Sequence, residues 1–383
     1  MALSGNRLQV LVFIDWYLPA IKAGGPVRSL EAIVSRLSTE VEFTIITGDK
    51  DAGTSERLSG IEIDKWTNAP DGTRVYYCSA DNDPVIVAKE IIQTRKFDRM
   101  YCNSVFSYRF AIRPLLKLKK FFPDNKTILA PRGMLGAGAL QIKSARKNMF
   151  LAFAKLSGLY SKIVWHVSSE QEAMEVRNVF GTKAKTIVAP NLASITCNDI
   201  SGRSKAEGQL RLIFISRISP KKNLILAIRS LQSIRGEVSL DIYGPEEDVA
   251  YAAQCKSAAA QLPSNISVRF NGEYNREQLK EIFADKHFML FPTQHENFGH
   301  VIIESLAFAC PVIISKFTPW LNLAELKSGM ICELNETEFS AAINRAVGLN
   351  QSEYAEWERG ALHMATRYLS DDNARSVMLS VFQ

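Results

Sequence analysis

The sequence predicts an α/β protein made of two doubly wound, Rossmann-like domains facing across a cleft. Three observations carry that prediction. A chain of 383 residues with 46% hydrophobic side chains exceeds the length at which a single core keeps growing, so it should divide. Short β-rich runs alternate with amphipathic helical patterns, the mark of βαβ units around a parallel sheet covered on both faces. The alternation stops once, in the polar, aperiodic stretch PNLASITCNDISGRSKAEGQ at residues 190–209, and then restarts.

The first half opens with LQVLVFI at 8–14, an apolar run of strand length. VEFTIIT at 41–47, DRMYCN at 98–103, KTILA at 126–130 and KIVWHVSS at 162–169 read as strands by the same β-branched and aromatic content. Amphipathic helices are predicted at 27–37, 84–94 and 105–120. After the break come strand 210–216, helix 224–235, strand 238–243, helix 246–262 and strand 266–270. Helix 276–284, strand 287–291, helix 299–309 and strand 310–315 follow, with helices after residue 335. The implied organisation is a first domain at 1–190, a linker at 191–209 and a second domain at 210–365. A terminal helix at 366–383 is expected to pack back on the first domain.

No apolar run approaches the roughly 20 residues of a membrane-spanning helix, and the start MALSGNRLQV lacks a secretory pattern. A soluble cytoplasmic protein is expected. Six cysteines, at 78, 102, 197, 255, 310 and 332, include no C-x-x-C pair, which suits reduced, mostly buried thiols rather than a disulfide or zinc framework. The net charge of +6 is uneven. Between Arg99 and Lys162, thirteen basic side chains meet one acid, Asp124, with apolar clusters interleaved. That stretch calls for an anionic partner, and an anionic membrane surface bound peripherally around residues 109–155 is the expectation.

In doubly wound sheets, ligands bind at loops beyond the carboxyl ends of the strands. The first such loop, DWYLPAIKAGGPVRSL, passes Gly24 and Gly25 before a helix with Pro26 in its first turn. It could cradle a phosphate or be a bare βα turn. The second, ISRISPKKNL, places Arg217 at a strand end and Lys222 at a helix start, cations suited to a diphosphate. The third, HENFGHVIIE at 295–304, resembles a damaged zinc-protease signature. Histidines four apart lie about 40° apart around a helix, but His295 and His300 are five apart, about 140°, and cannot share a face. Metal binding fails on that geometry. Backbone N–H groups of Phe298 and Gly299 could instead meet a phosphate, with Glu296 beside it and Glu304 facing a pair of hydroxyls.

HENFGHVIIESLAFACPVII resembles the E-x7-E signature of retaining GT-B glycosyltransferases of the family 4 group. SRISPKKNL resembles that group's Arg…Lys diphosphate motif, AGGPVRSL its glycine loop, and APRGML at 130–135 a segment of bacterial members that build surface polysaccharides. The resemblance implies transfer of a hexose-type sugar from a nucleotide-diphosphate donor, UDP-linked rather than GDP-linked, to a glycan or polyprenyl-linked acceptor. It also implies no metal or other cofactor. Glu296 would contact donor-sugar hydroxyls, Phe298 and Gly299 the diphosphate, and Glu304 the ribose. Arg217 and Lys222 would neutralise the diphosphate, and Gly25 would line the cleft. Three positions depart from the pattern: Arg132 replaces a histidine, Asn223 the glycine after the lysine, and Ala309 the glycine before Cys310. Arg132, always charged, cannot act as a base, and could hold an acidic acceptor or the donor phosphate. Two rivals stay open: a GT-B sugar-nucleotide epimerase or hydrolase, and a nucleic-acid-binding protein using the basic half, although that half has no recognisable nucleic-acid module.

Overall fold

The computed structural model describes residues 7–123, 125–136, 140, 144–197 and 202–383. It divides the chain into two units, residues 1–194 with 372–383, and residues 195–371.

The first unit is wound on strands β1 Leu8–Phe13, β2 Val41–Gly48, β3 Trp66–Asn68, β4 Arg74–Cys78, β5 Arg99–Cys102, β6 Thr127–Leu129, β7 Val164–Val167 and β8 Thr186–Val188. Their order is β3-β4-β2-β1-β5-β6-β7-β8. Neighbours run parallel except β3 against β4. On β1, Leu11 and Phe13 enter one hydrophobic core while Val10 and Val12 enter another. Alternate side chains therefore bury opposite faces, which is why the strand reads as an unbroken apolar run. Helix Pro84–Thr94 begins where predicted because the Asp83 carboxylate accepts from the Val85 amide and Pro84 takes the first helical position. The predicted helix 105–120 breaks up instead. A π-turn at Tyr108–Ile112 leads into a short helix, Arg113–Leu118, and a 3-10 turn, Lys119–Phe121. Pro114 has no N–H to return to the preceding turn, so the ladder cannot run through it.

The second unit holds β9 Gln209–Ile215, β10 Glu237–Tyr243, β11 Ile266–Gly272, β12 Phe288–Phe291, β13 Val312–Ser315 and β14 Gly329–Cys332. These lie in the order β11-β10-β9-β12-β13-β14, all parallel. Its helices include Leu224–Arg229, Val249–Ala259, His300–Ala307, Glu336–Val347 and Gln351–Leu369.

Both domain boundaries differ from the sequence reading. The stretch 191–209 is not a solvated linker: its described part buries Leu192, Ala193, Arg203 and Lys205. The Arg203 guanidinium donates to the carbonyls of Phe283, Phe308 and Ala309 and pairs with buried Glu358 at 2.9 Å. A cation placed on carbonyls at helix ends is favourable, and a polar sequence gives no sign of it. The terminal crossover falls at Asp372 rather than 366, because helix Gln351–Leu369 runs on within the second unit. Helix Asp372–Ser380 then returns. Met378 and Phe382 are fully buried, and the Phe382 ring lies 5.5 Å from those of Phe43 and Tyr101. Arg375 pairs with Glu40 at 2.5 Å.

All six cysteines are free, and all but Cys197 are buried. Among the described residues, no helix is long and apolar enough to cross a membrane.

Candidate active site

In the second unit, β9 lies between β10 and β12. The chain leaves β9 toward one side of the sheet and later returns to β12 on the other, so the loops after these strands part and open a crevice. The predicted motifs occupy these two loops. After β9, Ser216 donates to the Tyr243 carbonyl at 3.0 Å and Ile218 to that of Pro245 at 2.8 Å, which laces the Arg217 turn to the loop after β10. Gly244 makes that approach possible: at φ 136°, a Cβ there would sit 2.0 Å from the Ser216 carbonyl oxygen. Arg217 pairs with Glu247 at 2.5 Å. The 3-10 turn Pro220–Lys222 ends at Asn223, whose φ of 59° and ψ of 39° are left-handed. A glycine would take that conformation without strain, and asparagine is the next most tolerant residue. Ala309, the other departure, is also left-handed, at φ 51°.

The loop after β12 is fixed from several sides. Ser315 donates to the Thr293 carbonyl at 2.5 Å, the Glu296 amide to the Phe317 carbonyl at 3.0 Å, and the Trp320 indole N–H to the Phe298 carbonyl at 2.6 Å. Phe298 packs among Trp320, Tyr368 and His300. Gly299, at φ 81° and with Ile302 2.8 Å from where a Cβ would lie, opens helix His300–Ala307. The Ile302 amide bonds back to the Gly299 carbonyl at 2.8 Å, and the positive end of the helix lies at Gly299, where an anion would be favoured. Glu304 lies in the second turn and is 3% exposed, flanked by Ile302, Ile303 and Leu306.

The two loops meet at Lys222, whose ammonium pairs with the Glu296 carboxylate 74 residues away. The Gln294 amide also donates to the Lys221 carbonyl at 2.9 Å. Both members of the pair are largely withdrawn from solvent, at 13% and 12% exposure. Lys222 also lies over the Phe291 ring. Among the described residues, no group of three or more His, Cys, Asp or Glu side chains is placed to hold a metal ion. The structure thus brings Lys222, Glu296, Phe298, Gly299 and Glu304 together at one crevice, with Arg217 on the loop that forms its other edge.

Gly24, Gly25 and Arg132 belong to the first unit, where the sheet reverses direction between β1 and β5. Gly24, at φ 68°, precedes helix Gly25–Leu37, and the space a Cβ would fill at either glycine is open. The amides of Ile21 and Lys22 are occupied, donating to Asp51 at 2.8 and 3.0 Å. The Gly24 amide donates to the Ile21 carbonyl at 3.0 Å, so an anion could use only the Gly25 amide and the helix start. Arg132, at φ 52°, is held on three sides. Its Nε donates to Asn103 Oδ1 at 2.8 Å, Nη1 to Asn191 Oδ1 at 2.7 Å and Nη2 to the Tyr101 hydroxyl at 2.8 Å. Two of the five guanidinium N–H groups remain beyond these bonds. The Tyr101 hydroxyl lies 2.8 Å from His166 Nδ1, and His166 Nε2 lies 3.3 Å from the Ala189 carbonyl. Burial, with the Arg132 charge second, lowers the His166 pKa to about 3. The ring is therefore neutral, donating to Ala189 from Nε2 and accepting from Tyr101 at Nδ1. Asn103 donates to the Pro26 carbonyl at 3.4 Å, which links Arg132 to the glycine loop.

Sequence reasoning missed Asn103, Asp15 and the Phe317–Trp320 brace. Asp15 follows β1 and accepts from the Ser107 hydroxyl at 2.6 Å; burial holds its carboxyl above the usual range. The DWY run after a strand was the only available hint.

Residues 198–362, all within the second unit, match the family described as Glycosyl transferases group 1. The human alpha-1,3/1,6-mannosyltransferase ALG2 is 27% identical over 150 residues, which are 36% of this chain and 36% of the human protein. The mouse protein of the same name is 26% identical over 153 residues, 36% and 37% of the two chains. The match thus spans little more than a third of either relative. Among solved structures, sucrose-phosphate synthase from Thermosynechococcus elongatus superposes with a TM-score of 0.70 at 13% identity over 98% of each chain. Anabaena Alr3699/HepE in complex with UDP-glucose superposes with a TM-score of 0.70 at 14% identity, over 98% of this chain and 99% of that one. The fold, two parallel-sheet Rossmann-like domains, is that of GT-B glycosyltransferases.

Proposed function

We propose that this chain is a retaining, metal-independent glycosyltransferase that moves a hexose-type sugar from a nucleotide-diphosphate donor to a glycan or lipid-linked acceptor. The observation that carries the reading is the meeting of Lys222 and Glu296 beside the start of helix His300–Ala307. The cation and backbone donors there suit the diphosphate of a nucleotide sugar, and the carboxylate suits its hydroxyls. The group 1 match over residues 198–362 supports the same assignment.

In this reading Phe298 and Gly299 receive the diphosphate on their amides, and Arg217 and Lys222 neutralise it. Glu304 accepts from the ribose hydroxyls, which offsets the cost of burying its charge. Glu296 releases Lys222 to the diphosphate and accepts from the sugar hydroxyls. The bond from the anomeric carbon to the phosphate oxygen breaks as the acceptor oxygen bonds to that carbon on the same face. The acceptor proton passes to the departing phosphate. The protein contributes orientation and stabilises the charge growing on the diphosphate, the role a metal ion would otherwise fill. Gly24, Gly25 and Arg132 serve the acceptor side. UDP-sugars are the first donors to test. Mannose belongs in the panel because the human relative is named a mannosyltransferase. Cell-surface polysaccharide assembly on the cytoplasmic side of a membrane is the setting this acceptor class implies.

A coupled UDP or GDP release assay across a sugar panel tests the proposal. Transfer should require an acceptor, whereas an epimerase or hydrolase would release nucleotide without one. Alanine at Glu296, Arg217 or Lys222 should lower turnover by about 10²–10³ with the melting transition retained. Near-normal turnover in any of the three, or inversion of anomeric configuration seen by product NMR, would count against the assignment.

A further inference from the structure

Helix Ser144–Leu156, the crossover between β6 and β7, is apolar on two sides. Leu151 and Ala154 enter the core. Met149, Phe153 and Leu156, spaced to share the opposite face, are 72%, 64% and 90% exposed. Ala145 and Ala152 fall on the same outward strip, with Arg146 on one flank and Lys155 on the other. Such a face on a surface helix is uncommon without a partner. At the helix's C-terminal end lies a groove of about 720 Å³, walled by Trp165 and Phe180 and rimmed by Lys155, Lys162, Lys183 and Lys185. Its described lining contains no carboxylate. The groove sits at the amino ends of β7 and β8, away from the carboxyl-end loops of the sheet.

We propose that this outward strip and the lysine-rimmed groove form one docking surface for an anionic phospholipid bilayer. The strip would enter the acyl boundary and the groove would receive lipid phosphates, as interfacial helices with basic flanks do. The lysine rim, with no carboxylate in its described lining, complements an anionic surface rather than a second copy of the same basic face. The helix is about 20 Å long, so lying in the interface it would also bring the carboxyl-end loops of the sheet to the membrane. This deepens the acceptor side of the proposed function and rests on that reading for its purpose. It also narrows the attachment within the basic stretch: Leu115, Leu118 and Phe122 are core residues, Leu116 and Phe121 are exposed at 59% and 44%, and the more exposed apolar strip is that of helix Ser144–Leu156.

The full-length protein should be sedimented with vesicles of phosphatidylcholine alone and with vesicles containing phosphatidylglycerol. Wild type is expected to bind only the latter, less so in high salt. Phe153→Ser with Leu156→Ser should weaken binding at least about tenfold. Lys183→Glu with Lys185→Glu should weaken it by about 25-fold or more, at about fivefold for each lysine lost. UDP-induced thermal shifts, measured without vesicles, should be unchanged in both variants, which separates docking from donor binding. No preference for phosphatidylglycerol, wild-type binding by either folded variant, or a wild-type dimer abolished by the serine pair would each overturn the proposal.

Discussion

Replacing Glu296 with Gln removes the carboxylate that now holds the Lys222 ammonium, so a bare nucleoside diphosphate should bind more tightly, not more weakly. Two unit charges about 4 Å apart interact by about 4 kcal/mol at an effective dielectric of about 20. Lys222 and Glu296 are both mostly shielded from solvent, so the attraction between them is not screened away as at an open surface. Desolvation takes back most of it, leaving about 1–1.5 kcal/mol in favour of a diphosphate once Glu296 is neutral. UDP affinity should therefore rise roughly tenfold in Glu296→Gln. Lys222→Ala should do the reverse, since a lost charged hydrogen bond costs about 1.5–3 kcal/mol, or roughly 10–100-fold in affinity. Glu296→Gln should still lose turnover, because the sugar hydroxyls lose their charged acceptor. Isothermal titration of wild type and both variants with UDP and GDP supplies the comparison. If Glu296→Gln weakened UDP as much as Lys222→Ala did, Glu296 would be a nucleotide ligand rather than a competitor for the lysine, and the reasoning would fail.

Arg203→Ala should destabilise the second unit by about 3–5 kcal/mol, because it strips three carbonyls of their donor and leaves Glu358 charged and buried; urea unfolding reads this, and a loss below 1 kcal/mol would mean that the stretch is a linker after all. Arg132→Lys can satisfy at most part of the Asn103, Asn191 and Tyr101 set, so about 2–3 kcal/mol of stability and most of the turnover should go while the UDP Kd stays put. His166 and His287 are each lowered to about 3 by burial. Folded, they resist a proton that the unfolded chain accepts near pH 6.5, so the stability they confer is present above that pH and declines on acidification toward about 3. The loss should reach about 2 kcal/mol per histidine at pH 5. Raised Asp15 acts in the opposite direction. A melting temperature flat between pH 8 and pH 5 would refute the histidine effect.

What the sequence disclosed follows from what generates periodicity. Strands buried on both faces, such as β1, β2 and β9, appear as apolar runs. Strand β3, three residues long with none of them fully buried, carries too little pattern to register. The runs of β8 and β14, three and four residues long, are too short as well. Helix Glu170–Phe180 did leave a sign: Ser169 caps the Glu172 amide, an S-x-x-E spacing hidden at the tail of the β7 segment. The site was legible where one short stretch holds the chemistry, as with Gly299 and Glu304. It was not legible where chemistry depends on strand order. The Lys222–Glu296 pair exists because β9 and β12 are neighbours, and the Arg132 network because the loops after β5 and β6 converge. Arg203 shows the opposite limit, since a polar residue in a polar stretch gives no hint that carbonyl groups will bury it.

The most direct test is a crystal structure of the full-length protein with a nucleoside diphosphate sugar. The diphosphate should lie on the amides of Phe298 and Gly299, with Lys222 turned from Glu296 to the phosphate, Arg217 alongside, and the ribose hydroxyls on Glu304. A nucleotide bound away from the loops after β9 and β12, or one that leaves the Lys222–Glu296 pair intact, would contradict it.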